Sequence, residues 1–446
     1  MLARFANALA RVAERFVPSA FAIAILLTLV TFGAAAALAG SSPSTIVIAW
    51  GRGFWTLSPF AMQMALVVLT GYLVASAPIT DRLFAALAQH SGSPARAVAL
   101  MAGVSMTLAW VHWGLSLVGT AMFVRHVARA QPRVDFRLLV ASAYLGMGTT
   151  WHAGLSGSVP LLMATPGHFL QKSTGLVPLS TTTFTPFNLI LCAVVGVAMV
   201  TLTYWMHPVA DRAVVVSASA LDGLERFTPP AAPPRASFAS WCDHGPWLPL
   251  TLGVTGAVWL GWYVATSGAQ LTLDVLNFAF LMLAVLLHRS VASLMAAGEQ
   301  GARLLAGVVL QFPLYAGMYG VIESTGLARV LGEMIATTAS AASLPLLLYW
   351  YSSVLNFFVP SGGSKWALEA PFLLDAATRL GVGTDRVVLA YAWGDMASNL
   401  IQPFWALPLL AAARLGFRDI LGYAAVAFLV ISAIVSVAFW LLPALG

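Results

Sequence analysis

Residues 351–369 read YSSVLNFFVPSGGSKWALE, and they are the most informative segment of the sequence. Segments apolar enough to lie in a membrane flank a central break, Pro-Ser-Gly-Gly-Ser-Lys at 360–365. Lipid offers no hydrogen bonds, so a non-helical break at membrane depth persists only where protein or a water-filled cavity covers it. We therefore predict a re-entrant hairpin near 343–380 with its tip at a binding site. The alternative is an aqueous turn between two ordinary spans.

The predicted tip suits an anion. It lies at the N-terminus of the second helix of the hairpin, where free N–H groups and the helix dipole favour negative charge. Ser361 and Ser364 add hydroxyl donors, and Lys365 adds a cation. The alternative for Lys365 is an ion pair with Glu369, one helical turn further on the same helix.

Composition identifies an all-α, polytopic membrane protein. The chain has 446 residues, of which 60% are hydrophobic and 9% charged, with a mean hydropathy of +0.86. Soluble domains are typically about 25% charged. Cys192 and Cys242 are too few for a disulfide framework or a cysteine-based metal site. The net charge of +6 lies in loops between spans, so it does not indicate nucleic-acid binding.

The basic residues predict the orientation. Arg4, Arg11 and Arg15 precede the first apolar run at 16–39, which we interpret as a retained helix because it lacks a convincing cleavage site. The positive-inside rule then places the N-terminus in the cytoplasm. We expect a multi-pass protein of a cytoplasmic membrane.

Three further breaks interrupt apolar segments. Arginine-bearing loops flank the segment near 97–128 on both sides, which predicts a first re-entrant hairpin with its tip at 112–116. Two spans, 138–163 and 387–413, contain segments rich in glycine and polar residues at 149–158 and 394–403. Such segments are poor helix formers, so each span is predicted to be a discontinuous helix.

The chain divides into two similar halves. Residues 1–207 form a predicted first repeat with spans 1–5 and the first hairpin, and 208–246, containing PPAAPP, form a cytoplasmic linker. Residues 247–446 supply span 6 and a second, inverted repeat with the second hairpin. Gly114 and Gly362 are 248 positions apart, as are Pro160 and Pro408. Inverted repeats with broken helices are typical of secondary transporters.

The four breaks supply the candidate site. The predicted substrate-binding residues carry hydrogen-bonding or cationic groups, or glycines that expose the backbone: His112, Ser116, Thr150, His152, Ser156, Ser158, Ser361, Gly362, Gly363, Ser364, Lys365, Ser398 and Asn399. Asp395 is predicted to bind the coupling ion, because ionisable groups inside a membrane are usually functional; the alternative is a structural partner for unwound backbone. For the two histidines, packing beside tryptophans is the alternative.

The available chemistry favours a small monocarboxylate. One lysine at the site suits one carboxylate, and nearby tryptophans suit a short apolar tail. The sequence lacks the HExxH, Walker A and dinucleotide-binding patterns, and GLSGS at 154–158 has Ser158 where the hydrolase elbow needs glycine. We therefore predict no enzyme activity, cofactor or metal.

Two segments carry a resemblance to a known family. WHAGLSGSVPLLMATPGH at 151–168 and NFFVPSGGSKWALEAP at 356–371 are similar to the signature regions of the bacterial short-chain fatty acid transporter family, part of the ion-transporter superfamily. The resemblance implies paired hairpins, inverted repeats, a homodimer, and uptake of acetoacetate or butyrate coupled to protons or sodium.

The predicted function is thus secondary active transport of short-chain monocarboxylates by alternating access at a midplane site. A carrier of another small organic anion, such as a C4-dicarboxylate, and a passive anion channel are the alternatives. An integral-membrane hydrolase is a more distant one.

Overall fold

The computed structural model describes residues 20–217, 221, 227–234 and 237–445, and every regular element in these ranges is helical. The longer helices of the first half are α1 (Ala20–Ala37), α2 (Pro43–Gly53), α3 (Ser58–Ser76), α4 (Pro78–Ala88), α5 (Pro94–Val111), α6 (Trp113–Ala130), α7 (Phe136–Thr149), α8 (Ser158–Ala164) and α9 (Pro186–Met206).

The second half follows the connection at 208–246, of which the structure describes only a part. Its longer helices are α10 (Phe238–His244), α11 (Trp247–Ser267), α12 (Leu273–His288), α13 (Val291–Ala302), α14 (Ala306–Ser324), α15 (Leu327–Thr338), α16 (Leu344–Phe358), α17 (Gly362–Leu380), α18 (Thr384–Ala397), α19 (Leu407–Ala413) and α20 (Phe417–Leu445).

Six helical segments of the described chain are long and apolar enough to cross a membrane, which needs about 20 apolar residues. They are Ser58–Ser76, Pro94–Val111, Pro186–Met206, Trp247–Ser267, Val291–Ser324 and Phe417–Leu441. The all-α, multi-pass architecture predicted from composition is therefore confirmed. The predicted first span corresponds to α1 from Ala20, and the basic segment before it lies outside the described residues.

The first predicted hairpin is a pair of helices, α5 and α6, separated by one residue. His112 is extended (φ −157°, ψ 107°) and its Nδ1 accepts a hydrogen bond of 3.2 Å from the N–H of Leu115, so it caps α6. The predicted tip at 112–116 is therefore too long, because Gly114 and Ser116 continue the helix. The predicted break after α7 is confirmed: helix is absent between Thr149 and Ser158 in this fully described segment.

The helix bounds in the region of the second predicted hairpin agree closely with the prediction. Helices α16 and α17 flank three non-helical residues, 359–361, and Lys365 lies in the first turn of α17. The following break begins later than predicted. The α-helix of α18 continues through Gly394 and Asp395 to Ala397, and 3₁₀ turns then occupy Ser398–Ile401 and Phe404–Ala406.

Several short helices were not predicted. One of them is α2, which begins with a proline, is capped by Ser42 and ends at Gly53. The others are α4, α13 and α15. All four have 11 or 12 residues, so hydropathy over a span-length window does not detect them.

The predicted linker at 208–246 is not wholly irregular. It contains the 3₁₀ turn Ala210–Arg212 and helix α10. Residues 218–220, 222–226 and 235–236 of this linker lie outside the described residues.

Candidate functional site

Three ionisable side chains from the two halves meet in the core. Lys365 on α17 places Nζ 3.0 Å from Oδ1 of Asp395 on α18. Nδ1 of His152, in the break after α7, lies 2.8 Å from Oδ2 of the same carboxylate. Their side chains are 0%, 1% and 0% exposed, respectively. Burying a charge is costly unless it is paired, so this buried triad holds Lys365 and Asp395 as mutual counter-ions.

The surroundings of Lys365 complete its coordination. Nζ donates to the main-chain oxygen of Ser352 at 2.9 Å and lies 3.1 Å from that residue's Oγ. It also sits 4.9 Å from the centre of the Tyr391 ring, within cation–π range. Helices α16, α17 and α18 thus all contribute to holding the ammonium group.

Hydrogen bonding fixes the tautomer of His152. The N–H of Val159 donates to Nε2 at 3.2 Å, and the Ser158 hydroxyl lies 3.2 Å from the same atom. Because Nε2 accepts, Nδ1 carries the ring hydrogen and donates it to Asp395. The imidazole is therefore neutral in this arrangement, and the buried triad has no net charge. The ring stacks on Trp151 at a centroid distance of 4.2 Å.

The hairpin tip reaches the other half because Gly362 has no side chain. A Cβ at this position would lie 2.6 Å from Cε1 of His152 and 2.7 Å from Oδ2 of Asp395. The hydroxyl of Tyr391 donates to the Gly362 carbonyl at 3.0 Å and anchors the tip. At Gly363, a Cβ would lie 2.6 Å from Cζ of Phe60. Both glycines are thus required for close approach.

An amide network organises the second break. Nδ2 of Asn356 on α16 lies 2.8 Å from the Asp395 carbonyl, 3.0 Å from Oγ of Ser398 and 2.9 Å from Oδ1 of Asn399. The Asn399 amide in turn donates to the Met147 carbonyl of α7 at 2.8 Å. This network ties the second hairpin and its broken helix to the first half.

The first-half candidates lie near this centre but bond mostly to backbone. Ser116 and Thr150 donate to the carbonyls of Ser105 and Met106, respectively. Ser156 accepts from the N–H of Trp113 at 2.9 Å. His112 packs against Phe280 with 3.9 Å between ring centroids. None of these four fully described residues forms a hydrogen bond or ring contact with the buried triad.

At the second tip, Ser364 donates to the hydroxyl of Ser361. Ser361 itself makes no side-chain cap to α17, so the first N–H groups of this helix have no hydroxyl acceptor from their N-cap. The expected alternative pairing of Lys365 with Glu369 is wrong, because Nζ bonds Asp395 and Ser352 instead. The stronger partner lies on another helix, which sequence spacing alone does not indicate.

Three contributors were not predicted as site residues: Ser352, Asn356 and Tyr391. The first two were detectable in principle, because Ser352 and Asn356 are polar residues four positions apart in a mostly apolar helix. Tyr391 gave no such signal, since buried tyrosines are common in apolar spans.

Comparisons with known proteins add an independent line of evidence. The profile of a family described as Short chain fatty acid transporter matches residues 1–442. An Escherichia coli (strain K12) protein with the provisional name short-chain fatty acid transporter is 36% identical over 432 residues, which cover 96% of this chain and 97% of that protein. A Haemophilus influenzae protein with the same provisional name is 35% identical over 430 residues, or 95% and 96% of the two chains.

A solved structure shows the same fold. The Alcanivorax borkumensis YdaH transporter, whose topology is described as unusual, superimposes with a TM-score of 0.67. The match covers 96% of this chain and 99% of that one at 17% sequence identity. At this identity, the similarity concerns the fold alone.

Proposed function

Since the chain belongs to the short-chain fatty acid transporter family, we propose that it is a secondary active transporter of small monocarboxylates such as butyrate and acetoacetate. Family membership makes it a transporter and not an enzyme. The observation that carries the proposal is the buried Lys365–Asp395 pair, with 3.0 Å between Nζ and Oδ1, at the junction of a hairpin tip and two broken helices. At this junction Lys365 is a single cation, which suits a substrate with a single carboxylate.

Substrate binding is an exchange of carboxylates at Lys365. The incoming anion replaces Asp395 beside Nζ, and the α17 N-terminus at Gly362 and Gly363 supplies N–H donors to its second oxygen. The other proposed binding residues are His112, Ser116, Thr150, His152, Ser156, Ser158, Ser361, Ser364, Ser398 and Asn399. A single lysine supports a monocarboxylate over the alternative C4-dicarboxylate, whose second charge would remain unpaired.

Asp395 is the proposed coupling residue. Once the substrate occupies Lys365, the Asp395 carboxylate loses its counter-ion in a buried place. A buried unpaired charge is costly, so a proton or a sodium ion must join it. This requirement links the movement of one anion to the movement of one cation.

Complete burial supports a carrier over the alternative passive channel. Neither Lys365 nor Asp395 is more than 1% exposed, so an anion reaches them only after protein groups move. Alternating access provides that movement, because the site opens to one side and then to the other. The hairpin tip at 359–361 is the natural moving part, since it connects two helices and shares helical hydrogen bonds with them only at its ends, from the Val359 N–H to the Leu355 carbonyl and from the Lys365 N–H to the Ser361 carbonyl.

Equivalent contacts support inverted repeats at 1–207 and 247–446, joined by the linker at 208–246. Oγ of Ser105 on α5 donates to the carbonyl of Ala143, and Oγ of Ser352 on α16 donates to the carbonyl of Tyr391. These pairs are separated by 247 and 248 positions, close to the offset of the matching residues Gly114 and Gly362. We propose that both helix pairs are re-entrant hairpins.

The cellular arrangement follows from charge and from family resemblance. We propose an inner-membrane protein with a cytoplasmic N-terminus, which the excess of arginine in the corresponding loops supports. The homodimer is proposed from resemblance to the superfamily.

The test is uptake of labelled butyrate by proteoliposomes under an inward proton gradient, an inward sodium gradient or neither. Protein-free liposomes correct for leakage of the neutral acid. We expect accumulation above equilibrium under one gradient, and its loss in Lys365→Met. Lys172→Met, which changes an exposed lysine, is the matched control. Equal, non-accumulating uptake in all three conditions would identify a channel or uniporter, and preference for a dicarboxylate would reject the substrate assignment.

A further inference from the structure

A second buried carboxylate lies one turn beyond the buried triad. Glu369 on α17 is 1% exposed, and neither of its carboxylate oxygens has a hydrogen-bond partner within the described chain. No lysine, arginine or histidine nitrogen of the described residues lies within 4.0 Å of it. A charged carboxylate in such a place is strongly disfavoured, so Glu369 is neutral and carries a proton in this closed arrangement.

Glu369 interacts electrostatically with the charged residues of the proposed transport site. Lys365 is four residues earlier on the same helix face, and both it and Asp395 act on the Glu369 carboxyl through their charges. From α16 and α18, the hydroxyl groups of Tyr351 and Tyr391 also lie within electrostatic range.

The neighbouring helices α14 and α15 also pack against α17. Their charged residues are Glu323, Arg329 and Glu333, of which Glu333 interacts electrostatically with Arg379. The charges that act on the Glu369 carboxyl are those of Lys365 and Asp395.

From this geometry we infer that Glu369 is the relay through which the coupling proton reaches and leaves Asp395. The inference rests on the proposed exchange of carboxylates at Lys365. When the substrate takes Lys365, the O–H bond of Glu369 breaks and an O–H bond forms at Asp395, which becomes neutral. Glu369 then takes a replacement proton from the aqueous side that is open.

Charge balance gives the stoichiometry. The empty carrier holds Lys365 as a cation, Asp395 as an anion and Glu369 as a neutral acid. The loaded carrier holds the same cation, one substrate anion and two neutral acids. The difference is one monocarboxylate and one proton, so transport is electroneutral. On the opposite side the steps reverse, and Asp395 returns its proton through Glu369 as it pairs with Lys365 again.

The site suits a proton and not a sodium ion. Hard metal cations need several oxygen ligands around them. Neither Glu369 oxygen has a hydrogen-bond partner in the described chain, and no group of three or more histidine, cysteine, aspartate or glutamate side chains there could hold a metal ion. A proton needs only the carboxylate oxygen itself.

The experiment separates net transport from exchange. Net uptake requires Asp395 to lose and regain its proton in every cycle. In exchange of labelled for unlabelled butyrate across proteoliposomes, one butyrate replaces another at Lys365 while Asp395 keeps its proton, so the relay is not used. In Glu369→Gln we expect proton-driven net uptake to fall at least about tenfold, while exchange falls less than about threefold. Glu369→Asp retains a carboxyl group and should restore part of the net uptake. Glu333→Gln, an exposed change on α15, is the matched control.

Each other outcome has a defined meaning. Unimpaired net uptake in Glu369→Gln overturns the relay. Equal loss of net uptake and exchange, without recovery in Glu369→Asp, assigns Glu369 a structural role and also overturns it. Wild-type accumulation driven by sodium alone overturns the relay but leaves monocarboxylate transport intact. Wild-type protein that transports no monocarboxylate under any gradient rejects the proposed function itself.

Discussion

Removing the charge of Lys365 alone should destabilise the protein more than removing both charges of its pair with Asp395. In Lys365→Met, the Asp395 carboxylate stays buried and keeps only the hydrogen bond of 2.8 Å from His152. Breaking a buried pair by removing one partner costs about 3–5 kcal/mol, whereas replacing both partners by neutral groups is often neutral or stabilising. The double variant Lys365→Met/Asp395→Asn should therefore recover most of the loss.

These energies correspond to measurable shifts in the melting temperature. At about 2.1 cal/mol/K per residue, the entropy of unfolding for 446 residues is about 0.9 kcal/mol/K. Lys365→Met should then melt about 3–5 °C below the wild type, and the double variant within about 1–2 °C of it. Thermal unfolding of the purified protein in detergent, followed by the fluorescence of its 15 tryptophans, measures both.

A partly exposed ion pair on α17 provides the control for this prediction. Arg379 and Asp375 form a partly exposed pair, with 2.6 Å between Nε and Oδ2, whose loss in Arg379→Met should cost only about 0.3–0.5 kcal/mol. A fall in melting temperature for Lys365→Met as small as that of this control would refute the prediction. A double variant with a melting temperature as low as that of Lys365→Met would also refute it.

Three further changes probe the same region. Gly362→Ala should cost about 1–3 kcal/mol by overpacking against His152, and should reduce transport; Gly196→Ala, whose Cβ meets nothing within 4 Å, should not destabilise, as thermal melting will check. Asn356→Ala should cost about 1–3 kcal/mol because the Asp395 carbonyl and the Ser398 hydroxyl lose a buried donor, while Gln402 still donates to Asn399. A normal melting temperature with normal uptake would contradict the network. Asp395→Asn should abolish gradient-driven accumulation while sparing exchange, and unchanged accumulation would remove Asp395 from coupling.

The positions of the helix breaks were predictable because their local chemistry opposes a helix in lipid. Pro360 cannot donate a backbone hydrogen bond, and the glycines and hydroxyls after Thr149 favour other conformations. The same reasoning placed the last break too early. Gly394 is a poor helix former, yet α18 continues through it because the surrounding helices bury it and Ser353 bonds its carbonyl. Tertiary packing overrides propensity there.

The members of the site were predictable, but their partnerships were not. Glycine, serine and lysine at 361–365 indicated a polar tip, and Asp395 stood out as a charge in an apolar span. The 243 positions between His152 and Asp395 give no local pattern. Spacing on one helix instead suggested Glu369 as the partner of Lys365. Choosing between Glu369 and Asp395 requires knowing which helices pack together.

The pairing of Lys365 with Asp395 also bears on selectivity. In the proposed exchange, the substrate's carboxylate takes the place of Asp395 beside Lys365, so Asp395 competes with the substrate for the lysine. Exchanging one carboxylate for another yields little free energy from charge alone. The net affinity must then come mainly from the acyl chain, at about 0.8 kcal/mol, or about fourfold in affinity, for each buried methylene. The protein would thus distinguish among small acids by chain length, because the carboxylate that they share contributes little to the net affinity.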